Sequence, residues 1–222
     1  MNKAEERNYR LNRLLLGLLL ETSMDLSLKG EENIPQEGAV LVSNHRSDLD
    51  PLILSLRIEQ PINWMAGKYL YNIPLVREIL SNAGTIPISR ELKEKAYAKA
   101  AQALKKNQLV GIFPEGWDYI ADNIFNKPVG KFHPGFAQIA LQNNALVIPT
   151  AIIEIEAEKE KTFFTPKLRK SLGYPEKLKE APLRLVYKKA KIKIGRPIKL
   201  KREQGLEEIC KRVRSEVIKL LR

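Results

Sequence analysis

Leu11, Leu14, Leu15, Leu18 and Leu19 recur at helical spacing, and Leu16 and Leu20 widen the stripe. Arg10, Arg13 and Gly17 hold the narrow opposite face, so the pattern predicts an amphipathic helix within residues 1–23. The apolar run Leu14 to Leu20 falls far short of the roughly 20 residues that cross a bilayer as a helix. Acidic Glu5 and Glu6, and the lack of a small-residue cleavage site, argue against a signal peptide. Such a stripe either packs on the core of the domain or lies in a membrane interface, with its arginines at the headgroups.

From residue 24 onward the period alternates between strand and helix. Met24 to Lys29 reads as a strand, followed by the turn-rich Gly30 to Pro35. Ala39 to Val42 is a short, wholly apolar strand leading to Asn44-His45. A helix is expected from Pro51 to Leu56, with Asp50 at its N-cap and Pro51 at its first helical position. Trp64 to Ala66, Thr85 to Ile88 and Leu109 to Phe113 read as strands. Glu91 to Lys106 reads as a helix with alanines on its packed side, and Gly135 to Gln142 as a helix opened by Pro134. Leu146 to Ile155 is expected as a buried strand broken by Pro149, and Leu183 to Ile194 as a strand wet on one face. Glu203 to Leu221 closes the chain as an amphipathic helix. Glu156 to Pro182, rich in Lys and Glu, reads as a surface excursion within one domain. This interleaving predicts the α/β class, with one domain over 24–222, a mixed and mostly parallel sheet, and flanking helices.

Composition narrows the function. A chain of 222 residues with 44% apolar and 29% charged residues is neither disordered nor fibrous. A single cysteine permits no internal disulfide, and two histidines leave too few soft ligands for a structural zinc site. No carboxylate cluster asks for magnesium, so no metal or cofactor is expected. The net charge of +12 favours anionic partners. Zinc-finger spacing and aromatic-rich sheet motifs are both missing, and 7% aromatic residues offer little stacking surface. Nucleic acid is therefore not an expected partner. The basic run Lys188, Lys189, Lys191, Lys193, Lys199, Lys201 and Arg202 reads either as a solvated sheet face or as a seat for anionic headgroups, phosphorylated small molecules or an acidic carrier protein.

Candidate chemistry begins at Asn44-His45-Arg46-Ser47-Asp48-Leu49-Asp50, a His-x4-Asp at the mouth of an apolar strand. A carboxylate returning to an imidazole fixes its tautomer and stabilises imidazolium, as a general base near neutral pH needs. The same spacing also suits a helix cap beside a surface histidine. Three more blocks follow in order: Gly84-Thr85-Ile86-Pro87-Ile88-Ser89-Arg90, Phe113-Pro114-Glu115-Gly116 and Val147-Ile148-Pro149.

This ordered set resembles the glycerolipid acyltransferase family, which includes lysophosphatidic acid and glycerol-3-phosphate acyltransferases. The resemblance runs from about Leu26 to the closing Lys193-Ile194-Gly195-Arg196-Pro197. It implies His45 as the base that deprotonates an acceptor hydroxyl, Asp50 as its orienter, and direct attack of that hydroxyl on an acyl thioester. It further implies Arg90 as a contact to the acceptor phosphate, Glu115 and Gly116 as parts of the acceptor site, and Pro149 near the acyl chain or core. Lys68 resembles a lysine common in the family, and Asn44, beside the base, joins the substrate-binding set.

The implied activity is transfer of a fatty acyl group, from acyl-coenzyme A or acyl carrier protein as co-substrate, to a lysophospholipid hydroxyl. Lysophosphatidic acid is the first expected acceptor, at the cytoplasmic face of a membrane that the N-terminal helix would touch. Where many members carry Thr-Arg after the third block, this chain has Trp117-Asp118, with Lys127 or Lys131 as possible replacement charges. That departure keeps another lysolipid, a glycolipid, glycerol-3-phosphate, or a non-catalytic lipid-binding role among the alternatives. His133, without an acid at the family spacing, reads as a helix-entry residue, and Cys210 as a packed thiol.

Overall fold

The structure is a computed structural model that describes residues 24–116, 129–161, 166–174 and 183–222. The expected helix within residues 1–23, and Trp117, Asp118 and Lys127, lie outside the described residues. The element order is β1 (Asp25–Lys29), β2 (Ala39–Ser43), α1 (Asp50–Arg57), β3 (Ile62–Gly67), α2 (Pro74–Asn82) and β4 (Ile86–Ile88). There follow α3 (Lys93–Lys105), β5 (Leu109–Ile112), α4 (Gly135–Gln142), β6 (Leu146–Lys161), α5 (Pro166–Ser171), β7 (Leu183–Ile194) and α6 (Leu206–Leu220). Short 3-10 turns occupy Glu31–Asn33 and Lys68–Asn72.

Seven strands form one sheet in the order β1-β7-β6-β2-β5-β3-β4. β2 is its centre, parallel to β5 on one side and β6 on the other, and every residue of Ala-Val-Leu-Val-Ser is buried. A strand covered on both faces reads as such an uninterrupted apolar run. β3 lies parallel to β5 and β4, β1 lies parallel to β7, and β6 and β7 run antiparallel. One face of the sheet packs against α3, α4 and α6 through Ala100, Leu104, Phe136, Ile139, Val213 and Val217. The other carries Leu41, Ile148, Ile152 and Ile192 against Ile53 and Leu54 of α1. The α/β class and the mostly parallel sheet are as expected from the sequence.

Three local expectations need correction. β6 is not broken at Pro149 but runs through it to Lys161. Pro149 lacks only a donor; it sits opposite Val42, and its carbonyl accepts the Gly195 N–H at 2.8 Å. The stretch after Glu156 is also more regular than a loop, since Glu156–Lys161 of β6 pair with β7 back to Leu183. Its alternating Lys and Glu residues satisfy their backbone within a ribbon of two strands. Asp50 is not an N-cap. Leu49 holds that position, Asp50 is the first helical residue, and no side chain caps the helix.

The β6–β7 pairing carries register shifts between Glu154 and Glu156 and between Glu156 and Ala157. Ile155 is left over on β6 and Lys188 on β7, the signature of bulges. Each bulge reverses the face to which later side chains point. Leu185 and Tyr187 consequently join Ala190, Ile192 and Ile194 in one buried layer, although strict alternation would set them on opposite faces.

Candidate active site

The carboxyl ends of β2, β3, β4 and β5 lie along one rim of the sheet, where loops of parallel α/β folds collect functional groups. β2 delivers Asn44 and His45 there, β3 Lys68, β4 Arg90, and β5 the Phe113–Gly116 turn.

Where β2 ends, Asn44 continues its ladder with a side chain. Its Nδ2 donates to the Ile152 carbonyl at 3.0 Å and its Oδ1 accepts the Ile152 N–H at 2.8 Å. Fully buried, the amide anchors the loop to β6.

His45 Nδ1 lies 2.8 Å from Asp50 Oδ2. The same oxygen accepts the backbone N–H groups of Arg46 at 2.5 Å and Ser47 at 2.8 Å. The fully buried carboxylate has therefore turned back to clamp the loop from His45 onward, which is why it does not cap α1. Its Oδ1 accepts the Tyr187 hydroxyl at 2.7 Å. A buried charge is tolerable only when its lone pairs are filled in this way. Ser47 Oγ donates to the Leu185 carbonyl at 2.5 Å, and Arg46 pairs with Glu154 at 3.0 Å, tying the loop to both strands of the ribbon.

The imidazole side chain keeps 15% exposure. Its ring stacks on Phe113 at 4.1 Å, and Phe113 in turn stacks on Trp64 at 4.8 Å. Stacked pairs contribute about 0.5–1.5 kcal/mol each beyond burial. The Trp64 ring lies over Gly111, where a Cβ would sit 2.4 Å from Trp64 Cε3, so only glycine leaves that floor open. Burial works against charging His45, but the Asp50 hydrogen bond and charge outweigh it, with Asp48 and Glu115 adding to them. Its pKa is raised above the ordinary 6.5.

Glu115 braces the histidine loop. Its Oε1 accepts the His45 N–H at 2.9 Å and its Oε2 accepts the Gly130 N–H. Burial drives its pKa up to about 7 against these two backbone bonds. Both oxygens, expected to face the acceptor, are thus engaged by main-chain donors, a use that the Pro-Glu-Gly turn invites. Glu115→Ala leaves two donors without their acceptor and should lower stability by about 2 kcal/mol or more, read as a reduced urea midpoint. Gly116 is exposed at φ +62°, a left-handed turn that suits glycine. The exposed His133 enters α4 and binds the Pro114 carbonyl through its backbone at 2.8 Å, as its position before Pro134 predicts.

Lys68 and Arg90 are exposed neighbours at the ends of β3 and β4, where Gly67 pairs with Ile88. The Ser89 hydroxyl first, and then both of these cations, hold Glu91 below the usual carboxylate range. On the same side Tyr69 packs against Tyr174 at 4.6 Å, and the guanidinium of buried Arg169 on α5 lies 5.9 Å above the Tyr174 ring. Of the basic run, Lys188 pairs with Glu158 and Lys189 with Asp25. Lys191 and Lys193 alternate with buried Ala190, Ile192 and Ile194, and so face away from the layer that holds Tyr187. Trp64, Gly111 and Tyr187 carry no sequence signal of a site, since each meets a partner remote in the chain.

A family model described as Acyltransferase matches residues 25–153, more than half of the chain and all four blocks. The chain belongs to the acyltransferase family. A 1-acyl-sn-glycerol-3-phosphate acyltransferase of Borreliella burgdorferi is 27% identical over 152 residues, covering 64% of this chain and 59% of that protein. The protein of the same name in Pseudomonas aeruginosa is 30% identical over 145 residues, covering 64% of this chain and 52% of that one. The one in Saccharomyces cerevisiae is 26% identical over 148 residues, covering 65% and 46%. The chain thus spans only about half the length of the acyltransferases it matches. The crystal structure of the 1-acyl-sn-glycerophosphate (LPA) acyltransferase PlsC from Thermotoga maritima shares the fold, with a TM-score of 0.60 at 20% identity, over 98% of this chain and 77% of that one.

Proposed function

We propose that this member of the acyltransferase family transfers a fatty acyl group from a thioester to the free hydroxyl of 1-acyl-sn-glycerol-3-phosphate. The observation that carries this reading is the partly exposed imidazole with Nδ1 committed to a buried carboxylate at 2.8 Å. The relatives' names supply the acceptor.

With Nδ1 held as a donor to Asp50, Nε2 carries the lone pair. It takes the acceptor's hydroxyl proton as the oxygen attacks the thioester carbonyl. The tetrahedral intermediate then collapses with loss of the thiolate, to which the imidazolium can return the proton. Lys68 and Arg90 at the neighbouring strand ends are the cations proposed to hold the acceptor phosphate, and Gly116 lets backbone approach it. The donor is acyl-coenzyme A or acyl carrier protein. Residues 1–23 are proposed to place the enzyme peripherally on the cytoplasmic face of a membrane.

The test is thiol release from acyl-coenzyme A and from acyl carrier protein, across a panel of lysophosphatidic acid, other lysolipids, a glycolipid and glycerol-3-phosphate. Release that depends on lysophosphatidic acid supports the reading. Release only with another acceptor reassigns the substrate, and vesicle binding without release from either donor would make the chain a lipid-binding protein.

A further inference from the structure

On the reading of His45 as the base, we propose that Tyr187 is a positioning residue that acts through Asp50: its hydroxyl fixes Oδ1 and takes up part of the carboxylate's charge, while Arg46 and Ser47 keep Oδ2 on the imidazole.

The three other donors to this carboxylate, from His45, Arg46 and Ser47, all meet Oδ2. Those three belong to one short loop and move together. Rotation of the carboxylate about its own axis is resisted from a different element by Tyr187, whose hydroxyl lies 2.7 Å from Oδ1. Tyr187 sits on β7, beyond the matched residues 25–153, and is 1% exposed. The Lys188 bulge turns it toward Asp50, and Ser47 Oγ on the Leu185 carbonyl fixes the loop to the same strand two residues away.

The charged groups around it sort cleanly. Tyr187 faces Asp50, Arg46 and Glu154, while His45 faces Asp50, Asp48 and Glu115. Burial, then the Asp50 charge and hydrogen bond, push the phenol well above its ordinary value of 10, so it remains a neutral donor. A phenol that donates to Asp50 drains negative charge from the carboxylate and sets how strongly Asp50 holds the imidazolium.

The experiment is an NMR titration of the His45 imidazole in the full chain. With only two histidines, His133→Gln assigns the signals. Tyr187→Phe keeps the ring and removes the donor. It should raise the His45 midpoint by about 0.5 pH unit or more and lower kcat roughly tenfold with KM little changed. 3-Fluorotyrosine placed at position 187 is a more acidic donor and should move the midpoint down, a reading available even where the phenylalanine variant folds poorly. Midpoints unchanged in both proteins, or a fall in urea midpoint alone, would overturn the proposal. Because the titration needs no turnover, its outcome is separate from whether lysophosphatidic acid is the acceptor.

Discussion

Replacing His45 by alanine should lower kcat for acyl transfer by about 10²–10⁴-fold, the usual worth of a positioned general base. At about 1.4 kcal/mol per factor of ten, that is about 3–6 kcal/mol of transition-state stabilisation. An alcohol loses its proton only as the new C–O bond forms, and the His45 ring pairs a partly exposed nitrogen with a buried carboxylate. KM should change little, because the imidazole acts on a proton that moves in the transition state. Alanine also removes the stack on Phe113, so His45→Gln serves as a control that keeps more of the contact. Saturation kinetics with lysophosphatidic acid checks the prediction. Turnover within a fewfold of the unmodified enzyme would move the base elsewhere.

Asp50→Asn should cost less in kcat than His45→Ala, and should displace the pH profile. An asparagine can present its oxygen where Oδ2 stands, keeping the bonds from Arg46, Ser47 and His45, and its amide can donate to the Tyr187 oxygen. The loop and the tautomer survive while the charge is lost. The pKa of His45 is held above 6.5 against burial chiefly by Asp50. The base works only when neutral, so the acid limb of kcat/KM in the unmodified enzyme should lie above pH 6.5. Without the Asp50 charge, burial prevails and the limb should move to lower pH, toward a lower plateau. The stability linkage has the matching sign. The raised pKa of His45 stabilises the fold below pH 6.5, and that contribution is lost as pH rises through the folded value. A profile of kcat/KM from pH 5 to 9 for both proteins checks the shift, and an unmoved limb would mean that Asp50 does not set the base.

The His-x4-Asp block was legible because both residues lie within one turn, so their spacing alone brings them within reach. What spacing could not say is which way the carboxylate turns. A helix cap and a clamp on the preceding loop use the same residue at the same place, and the two backbone N–H groups of Arg46 and Ser47 decided for the clamp. Glu115 and Asn44 were legible as rim residues. Their engagement with backbone of Gly130 and Ile152 depends on neighbours 15 and 108 residues away. Tyr187 was misleading in sequence, since period-two reading from Ala190, Ile192 and Ile194 sends it to the wrong face. Only the extra residue at Lys188 reverses that phase.

The order of the strands and of helices α1, α3, α4 and α6, the doubly covered centre of the sheet and the succession of blocks were determined by the chain itself, whereas α2 and α5 were not read from it. Each rests on local periodicity or on residues a few positions apart: wholly apolar Ala39–Val42 has no solvated side to offer, and so must lie inside. Tertiary structure alone decided the stack of Trp64, Phe113 and His45 over Gly111, the approach of Lys68 to Glu91 beside Arg90, and the phenol behind Asp50. Those contacts arise where parallel strands end side by side and where a bulge turns one side chain over, and neither event leaves a mark in the spacing of the residues it joins.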